Sequence, residues 1–317
     1  LSKPTVLLAC DFSDRFKQLL TDRYKVLGPM PRSAPDALPV GASAALALVT
    51  KGGLQTDRAL IEALPELGLV SYFGTGFEGI DLQAASEHGL TVTHSPGANA
   101  SSVADFAMGL VLASTRQILA ADRFVREGRW TGNSLVSMAA VPGLTGARLG
   151  IYGFGAVGRK LASRAAAFEM KIAYHSRTPK SDTACSYKAS VRELAEWADI
   201  LIVAVRADPS NYHIVDRSLL AALGLNGHVV NVARGSLIDA DALAEALEQG
   251  MIAGAALDVF ENEPTVPDRL LNAPNLILSP HIAFASTGAR NAQEDMVLAN
   301  LEAFFDNRAV PNPIDPF

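Results

Sequence analysis

Gly153-Phe154-Gly155-Ala156-Val157-Gly158 lies between the run Arg148 to Tyr152 and an Ala-rich stretch, Arg159 to Ala167, that keeps Leu161 and Ala165 on one helical face. No other segment constrains the fold as strongly. A strand that feeds a helix through G-x-G-x-x-G lets the backbone approach a pyrophosphate, whose charge the free N–H groups and dipole of the helix N-terminus stabilise. Six residues alone also describe an ordinary turn. The loop Val141 to Ala147 before the strand and the helical stretch after it supply the context that the motif requires. The segment therefore predicts a dinucleotide-binding unit with Gly153, Phe154, Gly155, Ala156, Val157 and Gly158 at the cofactor.

The next strand, Lys171 to Tyr174, is expected to end at the adenosine ribose, where an NAD-binding protein places a carboxylate about 20 residues beyond the first glycine. Here the chain has His175-Ser176-Arg177-Thr178. A carboxylate would hold both ribose hydroxyls and repel a 2′-phosphate, whereas a guanidinium with two hydroxyls does the reverse. This predicts NADP(H) as the preferred cofactor, with NAD(H) possible. The alternative leaves Arg177 in solvent and folds Asp182 back onto the ribose.

Strand-like and helix-like segments alternate along the whole chain, which predicts α/β architecture: two doubly wound parallel-sheet domains, one flavodoxin-like and one Rossmann, with a cleft between them. In the first, strands are expected at Val6 to Cys10, Ala44 to Val49, Leu69 to Phe73 and Leu90 to Thr93. In the second they are expected at Leu149 to Tyr152, Lys171 to Tyr174, Ile200 to Val205, His228 to Val232, Gly254 to Leu257 and Leu276 to Leu278. The breaker cluster Ser95 to Asn99 reads as a hinge, followed by one long apolar helix, Val103 to Val125. A last helix, Ala289 to Phe305, spaces Val297, Leu301 and Phe304 to pack back on the first unit. The expected division is residues 1–97 plus 288–317 for substrate and 98–287 for cofactor.

Composition excludes several classes. At 317 residues with 49% apolar and 19% charged residues, the chain suits two globular cores. A net charge of −6 argues against non-specific nucleic-acid binding. The apolar stretch at Pro4 to Ala9 is too short for a signal peptide or a membrane span. Cys10 and Cys185, far apart and without metal-ligand spacing, read as free thiols in a reducing, cytoplasmic setting; no metal site is expected.

Three polar residues stand just past apolar strands, where charge is costly unless used or paired. Arg234 follows Val229 to Ala233, Glu263 follows Leu257 to Phe260, and His281 follows Leu276 to Pro280. The carboxyl ends of such strands are where open α/β sheets bind ligands. Each residue alone also reads as a surface, turn or structural group. Together they match hydride transfer to a 2-keto acid: a planar guanidinium orients the carboxylate and polarises the carbonyl, and an imidazole backed by a carboxylate supplies the proton.

The chain here resembles the D-2-hydroxyacid dehydrogenases, in particular their glyoxylate/hydroxypyruvate reductase branch. The resemblance rests on Gly153 to Arg159, Val230 to Asp239, Ala255 to Pro264 and Ser279 to Ile282, in that order, and covers nearly the whole chain. It implies Arg234 as the polarising residue, Glu263 as partner of the histidine and His281 as general acid/base. Asp258 resembles the residue that meets the nicotinamide carboxamide; a turn-capping Asp is the alternative. Val205 and Ala233 fall at cofactor-lining positions. Val70 to Asp81 is similar to the family's substrate loop, so that Gly74, Thr75 and Gly76 are expected to bind the carboxylate through backbone N–H groups, unless this is a plain strand-end turn.

Val125 to Trp130 resembles a segment that reaches the other subunit's site, which implies a homodimer with Trp130 given in trans. Ordinary packing of a partly buried Trp is the alternative. Two departures are read: Arg206-Ala207-Asp208-Pro209-Ser210-Asn211 replaces a Thr-Pro-Glu-Thr-like turn, and no regulatory extension is expected after Pro313 to Phe317. The expected activity is NADPH-preferring reduction of a small 2-keto acid, glyoxylate or hydroxypyruvate, to the D-2-hydroxy acid. The alternatives are a bulkier keto acid such as a (hydroxy)phenylpyruvate, or a non-enzymatic dinucleotide-sensing module; formate oxidation fits the His281 and Glu263 pairing poorly.

Overall fold

Two compact units make up the chain in the computed structural model, which describes residues 3–132 and 138–314: one comprises Leu1–Asn99 with Ala285–Phe317, the other Ala100–Phe284. Of the C-terminal segment, Asp315 to Phe317 lie outside the described residues. Both units are doubly wound parallel sheets, as the alternation of segments predicts.

The first unit contains β1 (Thr5–Leu8), α1 (Asp14–Arg23), β2 (Lys25–Leu27), β3 (Ala47–Thr50), α2 (Arg58–Glu62), β4 (Leu69–Tyr72), α3 (Leu82–Glu87) and β5 (Thr91–Thr93). Its sheet runs β2-β1-β3-β4-β5, all parallel, the flavodoxin-like order. Strands β1, β3 and β4 are buried along their whole length, which explains why they read as apolar runs. The helices begin at side-chain caps: Ser13 accepts from Phe16 N, Asp57 from Leu60 N and Asp81 from Ala84 N.

The second unit contains α4 (Ala100–Thr115), α5 (Ile118–Arg126), β6 (Arg148–Tyr152), α6 (Ala156–Ala167), β7 (Lys171–His175), β8 (Ser186–Tyr187), α7 (Val191–Trp197), β9 (Ile200–Val203), α8 (Arg217–Leu223), β10 (His228–Asn231), α9 (Ala240–Glu248), β11 (Gly254–Leu257), α10 (Asp268–Leu271) and β12 (Leu276–Leu278). The sheet order is β12-β11-β10-β9-β6-β7-β8. The chain therefore leaves β6 first toward β7 and then, on the other side, toward β9, and this reversal makes the crevice where such folds bind dinucleotides. Side-chain alternation builds a core on each face. Ile200 and Ile202 of β9 pack with Val111, Leu161 and Ala165, whereas Leu201 and Val203 pack with Leu194, Leu220 and Leu243. The remaining helix, α11 (Thr287–Phe305), returns to the first unit and buries Val297 and Leu301 against Val6, Leu8 and Leu69.

Three details depart from the sequence reading. The single helix expected over Val103 to Val125 is two, bent by 60°. The apolar pattern gives way there to Ser114-Thr115-Arg116-Gln117, the Thr115 hydroxyl donates back to Val111 O at 2.7 Å, and Gln117 takes a left-handed conformation at φ 52°. Strands β2 and β8 went unread because each is a short sheet edge with one neighbour and little buried surface. The strands expected to reach Val205 and Val232 stop at Val203 and Asn231, which releases Ala204, Val205, Val232 and Ala233 into loops at the carboxyl edge. Among the described residues, no single helix is long and apolar enough to cross a membrane.

Candidate active site

The glycine turn divides its three glycines by task. Gly153 sits at φ +103°, and a Cβ on it would lie 2.6 Å from the backbone of Ala204 and Val205. A Cβ on Gly158 would lie 2.1 Å from Gly153 O, so α6 packs directly on the strand end. At Gly155 a Cβ would meet nothing within 4 Å, and no side chain caps α6. The first N–H groups of α6 therefore face open space beside a backbone that an anion can approach, an arrangement that fits a pyrophosphate. Phe154 is buried, stacked on Tyr174 at 4.1 Å, with the Arg159 guanidinium 5.3 Å from its ring centre.

At the end of β7, His175 Nδ1 lies 2.8 Å from Lys188 O and must donate to it. Ser176 Oγ donates to Thr178 O within the turn, while Arg177 and Thr178 are exposed. Asp182, the acid that could have turned toward the ribose, pairs with Arg159 at 2.9 Å, and that hydrogen bond holds its carboxyl below the usual carboxylate range. Across the switch point, Arg206 is exposed and its carbonyl accepts from Asn211 Nδ2. Hydrogen bonds from Ser210 hold the Asp208 carboxyl below its ordinary range, and the Arg177 charge adds to the effect.

Arg234, Asp258 and His281 follow the ends of β10, β11 and β12, three adjacent strands. Asn231, fully buried, holds the Arg234 turn: its Oδ1 accepts from Ala233 N and its Nδ2 donates to Arg234 O, both near 3.0 Å. The Arg234 guanidinium also donates to Ala233 O at 2.7 Å. Asp258 organises the histidine loop. Buried to 0% exposure, its carboxylate accepts from Ser279 Oγ at 2.6 Å, Ile282 N at 3.0 Å and Ala283 N at 2.8 Å, and its carbonyl accepts from His281 N at 2.7 Å. Of the two readings of this residue, the loop cap describes these contacts.

His281, at φ 51°, then brings Nδ1 to 2.7 Å from Glu263 Oε2, while Glu263 Oε1 accepts from Phe260 N. The carboxylate thereby fixes the ring's orientation and leaves Nε2 as the atom available for proton exchange, on a side chain 38% exposed. Phe284 meets the same ring edge-on at 5.8 Å and is itself 43% exposed. The turns carrying Arg234 and Glu263 touch backbone to backbone, since a Cβ at Gly235 would lie 2.0 Å from Phe260 C. Glu261 fastens that contact, accepting from Tyr212 OH at 2.8 Å and pairing with His213 at 3.1 Å.

In the first unit, the loop after β4 has Gly74 at φ +143°, with its carbonyl accepting from Ser95 N at 2.7 Å. Thr75 Oγ1 lies within hydrogen-bond reach of Ser95 O and Asn99 Oδ1. Among the described residues, the N–H groups of Thr75 and Gly76 donate to no protein oxygen. Trp130, beyond α5, is 59% exposed rather than packed in its own unit, and α5 buries none of its residues.

Residues 108–283 match the model of the D-isomer specific 2-hydroxyacid dehydrogenase, NAD binding domain. The chain belongs to the D-isomer specific 2-hydroxyacid dehydrogenase family. It is thus an oxidoreductase with an NAD(P)-binding Rossmann domain. This family member is 38% identical over 310 residues to hydroxyphenylpyruvate reductase of Plectranthus scutellarioides and 37% identical over 310 residues to glyoxylate/hydroxypyruvate reductase A of Arabidopsis thaliana, with 98% of each chain covered in both cases. An NADPH-dependent glyoxylate/hydroxypyruvate reductase of Sinorhizobium meliloti, solved in complex with NADP and malonate, superposes with a TM-score of 0.89 at 36% identity, covering 99% of this chain and 98% of that one. Sequence reasoning on this dehydrogenase passed over Asn231, Ser279 and Glu261. Asn231 did carry a signal, as an amide inside the run Val229 to Val232, where a buried polar group must find partners.

Proposed function

We propose that this dehydrogenase reduces small 2-keto acids, glyoxylate or hydroxypyruvate, to D-2-hydroxy acids with NADPH preferred over NADH. The observation that carries the reading is the His281 to Glu263 pair at the carboxyl edge that also carries Arg234 and the glycine turn. Residues 153–158 and the uncapped start of α6 would hold the pyrophosphate, with Val205 and Ala233 beside them. The bound nicotinamide cofactor supplies the hydride. Arg234 orients the carboxylate and polarises the carbonyl, the Thr75 and Gly76 N–H groups following Gly74 receive the carboxylate, and His281 donates its Nε2 proton to the nascent alkoxide while Glu263 holds the ring. Asp258 keeps the histidine loop in place, and its contact with the nicotinamide carboxamide is the role that the family resemblance implies.

The engagement of Asp182 with Arg159 supports a 2′-phosphate at Arg177, and so NADP(H). Exposed Ile118, Leu119 and Val125 on α5, with Trp130 beyond it, support a homodimer in which Trp130 reaches the partner's site. The two free cysteines fit a cytoplasmic enzyme. Phe284 against His281 favours a second reading, in which an aryl keto acid such as hydroxyphenylpyruvate is the better substrate.

Steady-state oxidation of NADPH and NADH with glyoxylate, hydroxypyruvate and hydroxyphenylpyruvate tests the set. Turnover with NADPH and the small acids is expected. A marked preference for the aryl acid would favour the second reading, and no turnover with any pair would refute both. Light scattering on the eluting protein should give twice the chain mass.

A further inference from the structure

We infer that His94 is a positioning residue that aims the Gly76 N–H at the substrate carboxylate; the inference rests on the proposed function of this loop as the carboxylate binder. In a trans peptide the C=O and the N–H of the next residue point in opposite directions, so whatever holds the oxygen also aims the hydrogen. The Gly74–Thr75 and Thr75–Gly76 peptides are both trans. Gly74 O accepts from Ser95 N at 2.7 Å, and Thr75 O lies 3.0 Å from His94 Nδ1.

Two successive carbonyls are therefore drawn toward the His94-Ser95 segment, and the N–H groups of Thr75 and Gly76 are turned away from it together. Neither has a protein acceptor among the described residues. The bond from Ser95 to Gly74 O is made by its backbone N–H. The second carbonyl is held by a side chain, and this makes the aim of Gly76 N–H depend on the identity of residue 94.

A carbonyl oxygen only accepts, so Nδ1 of His94 must carry the hydrogen. The imidazole is itself fixed. His94 N donates to Asn312 O at 3.2 Å, its carbonyl lies 3.4 Å from Asn300 Nδ2, and its ring meets Phe77 edge-on at 5.4 Å. An asparagine places a donor, Nδ2, at about the position of Nδ1. An aspartate of the same size places only acceptors there and would repel Thr75 O.

The test uses the full chain with NADPH and compares glyoxylate with glycolaldehyde, which has a similar size and no carboxylate, alongside calorimetric binding of oxalate. His94→Ala should raise KM for glyoxylate about tenfold, the loss expected when one charge-assisted hydrogen bond is misaligned. It should leave kcat within about twofold and glycolaldehyde turnover unchanged, because only carboxylate binding common to ground and transition states is lost. His94→Asn should recover most of the affinity and His94→Asp none of it, a contrast that still decides the matter where the alanine variant folds poorly. Equal losses on glyoxylate and glycolaldehyde, or an asparagine variant as weak as the aspartate one, would overturn the inference while leaving the proposed function standing. A wild-type protein that neither turns over glyoxylate nor binds oxalate would overturn both.

Discussion

In the proposed function, the carboxyl edge of the seven-stranded sheet and the loop after β4 in the five-stranded sheet would solve the same problem, recognition of an anion, with different material. The first uses side chains: Arg234, Glu263 and His281 stand at strand ends, and buried Asn231 and Asp258 hold the turns that carry them. The second would use the main-chain N–H groups of Thr75 and Gly76, whose peptides are held at the Gly74 and Thr75 carbonyls. The difference is that a side-chain site depends on the identity of its own residues as well as on their supports, whereas a backbone site should be nearly blind to its own side chains and sensitive to its supports.

The largest expected effect falls on the side-chain edge. His281→Ala should lower kcat by about 10² or more through loss of acid catalysis, with the NADPH dissociation constant unchanged; a fully active variant would remove His281 from the chemistry. Arg234→Lys keeps the charge and loses the fork, and is expected to cost about tenfold or more in kcat/KM. If lysine were as good as arginine, the edge would act by charge alone. Arg177→Ala should weaken NADPH about tenfold relative to NADH, because only the phosphorylated cofactor loses a charge-assisted contact. Equal losses on the two cofactors would assign Arg177 to the loop instead.

The backbone site sharpens the contrast from the other side. Thr75→Ala removes the hydroxyl and keeps both N–H groups, so KM for the keto acid should change by less than about threefold; a larger loss would show that Thr75 acts through its side chain. The smallest effect belongs to the amino end of the seven-stranded sheet, remote in the fold from its carboxyl edge. There Arg148 pairs with Asp199 and hydrogen-bonds its carboxylate through the backbone N–H, Nε and Nη2, which holds the Asp199 carboxyl below the usual carboxylate range. A depressed folded value means that the pair's contribution is complete above the unfolded value of about 3.9 and fades as the pH falls through the folded one. With both side chains more than a third exposed, the contribution is discounted to less than about 1 kcal/mol. Denaturant unfolding of Asp199→Asn should therefore differ from wild type at pH 7, converge with it in acid, and leave turnover untouched.

Most of the architecture was legible in the chain. Strands buried on both faces are mostly apolar, the glycines of the turn mark the start of α6, and capping Ser and Asp residues mark the starts of α1, α2, α3, α7, α8, α9 and α11. What escaped had weak local signals. Edge strands β2 and β8 bury little, and the break at Gln117 turns on a single left-handed residue inside an otherwise helical pattern. In the site, Arg234, Glu263 and His281 stood out because a charge beside an apolar strand demands a reason. Ser279, also involved in shaping it, is a small polar residue that looks like any turn, whereas Asn231 is marked only by being an amide within an apolar strand.

The sequence by itself determined the class of fold, the dinucleotide turn, and the reactive groups available, because burial pattern, backbone freedom and functional-group chemistry are properties of residues and their spacing. Only the tertiary structure decided the partners that no motif names. That Glu261 meets Tyr212 and His213, that Asp182 is taken by Arg159, and that His94 reaches the carbonyl of Thr75 are consequences of strand order and of where each turn directs its backbone. Hydrogen bonds act over about 3 Å, and distances on that scale between residues far apart in the chain are set by packing.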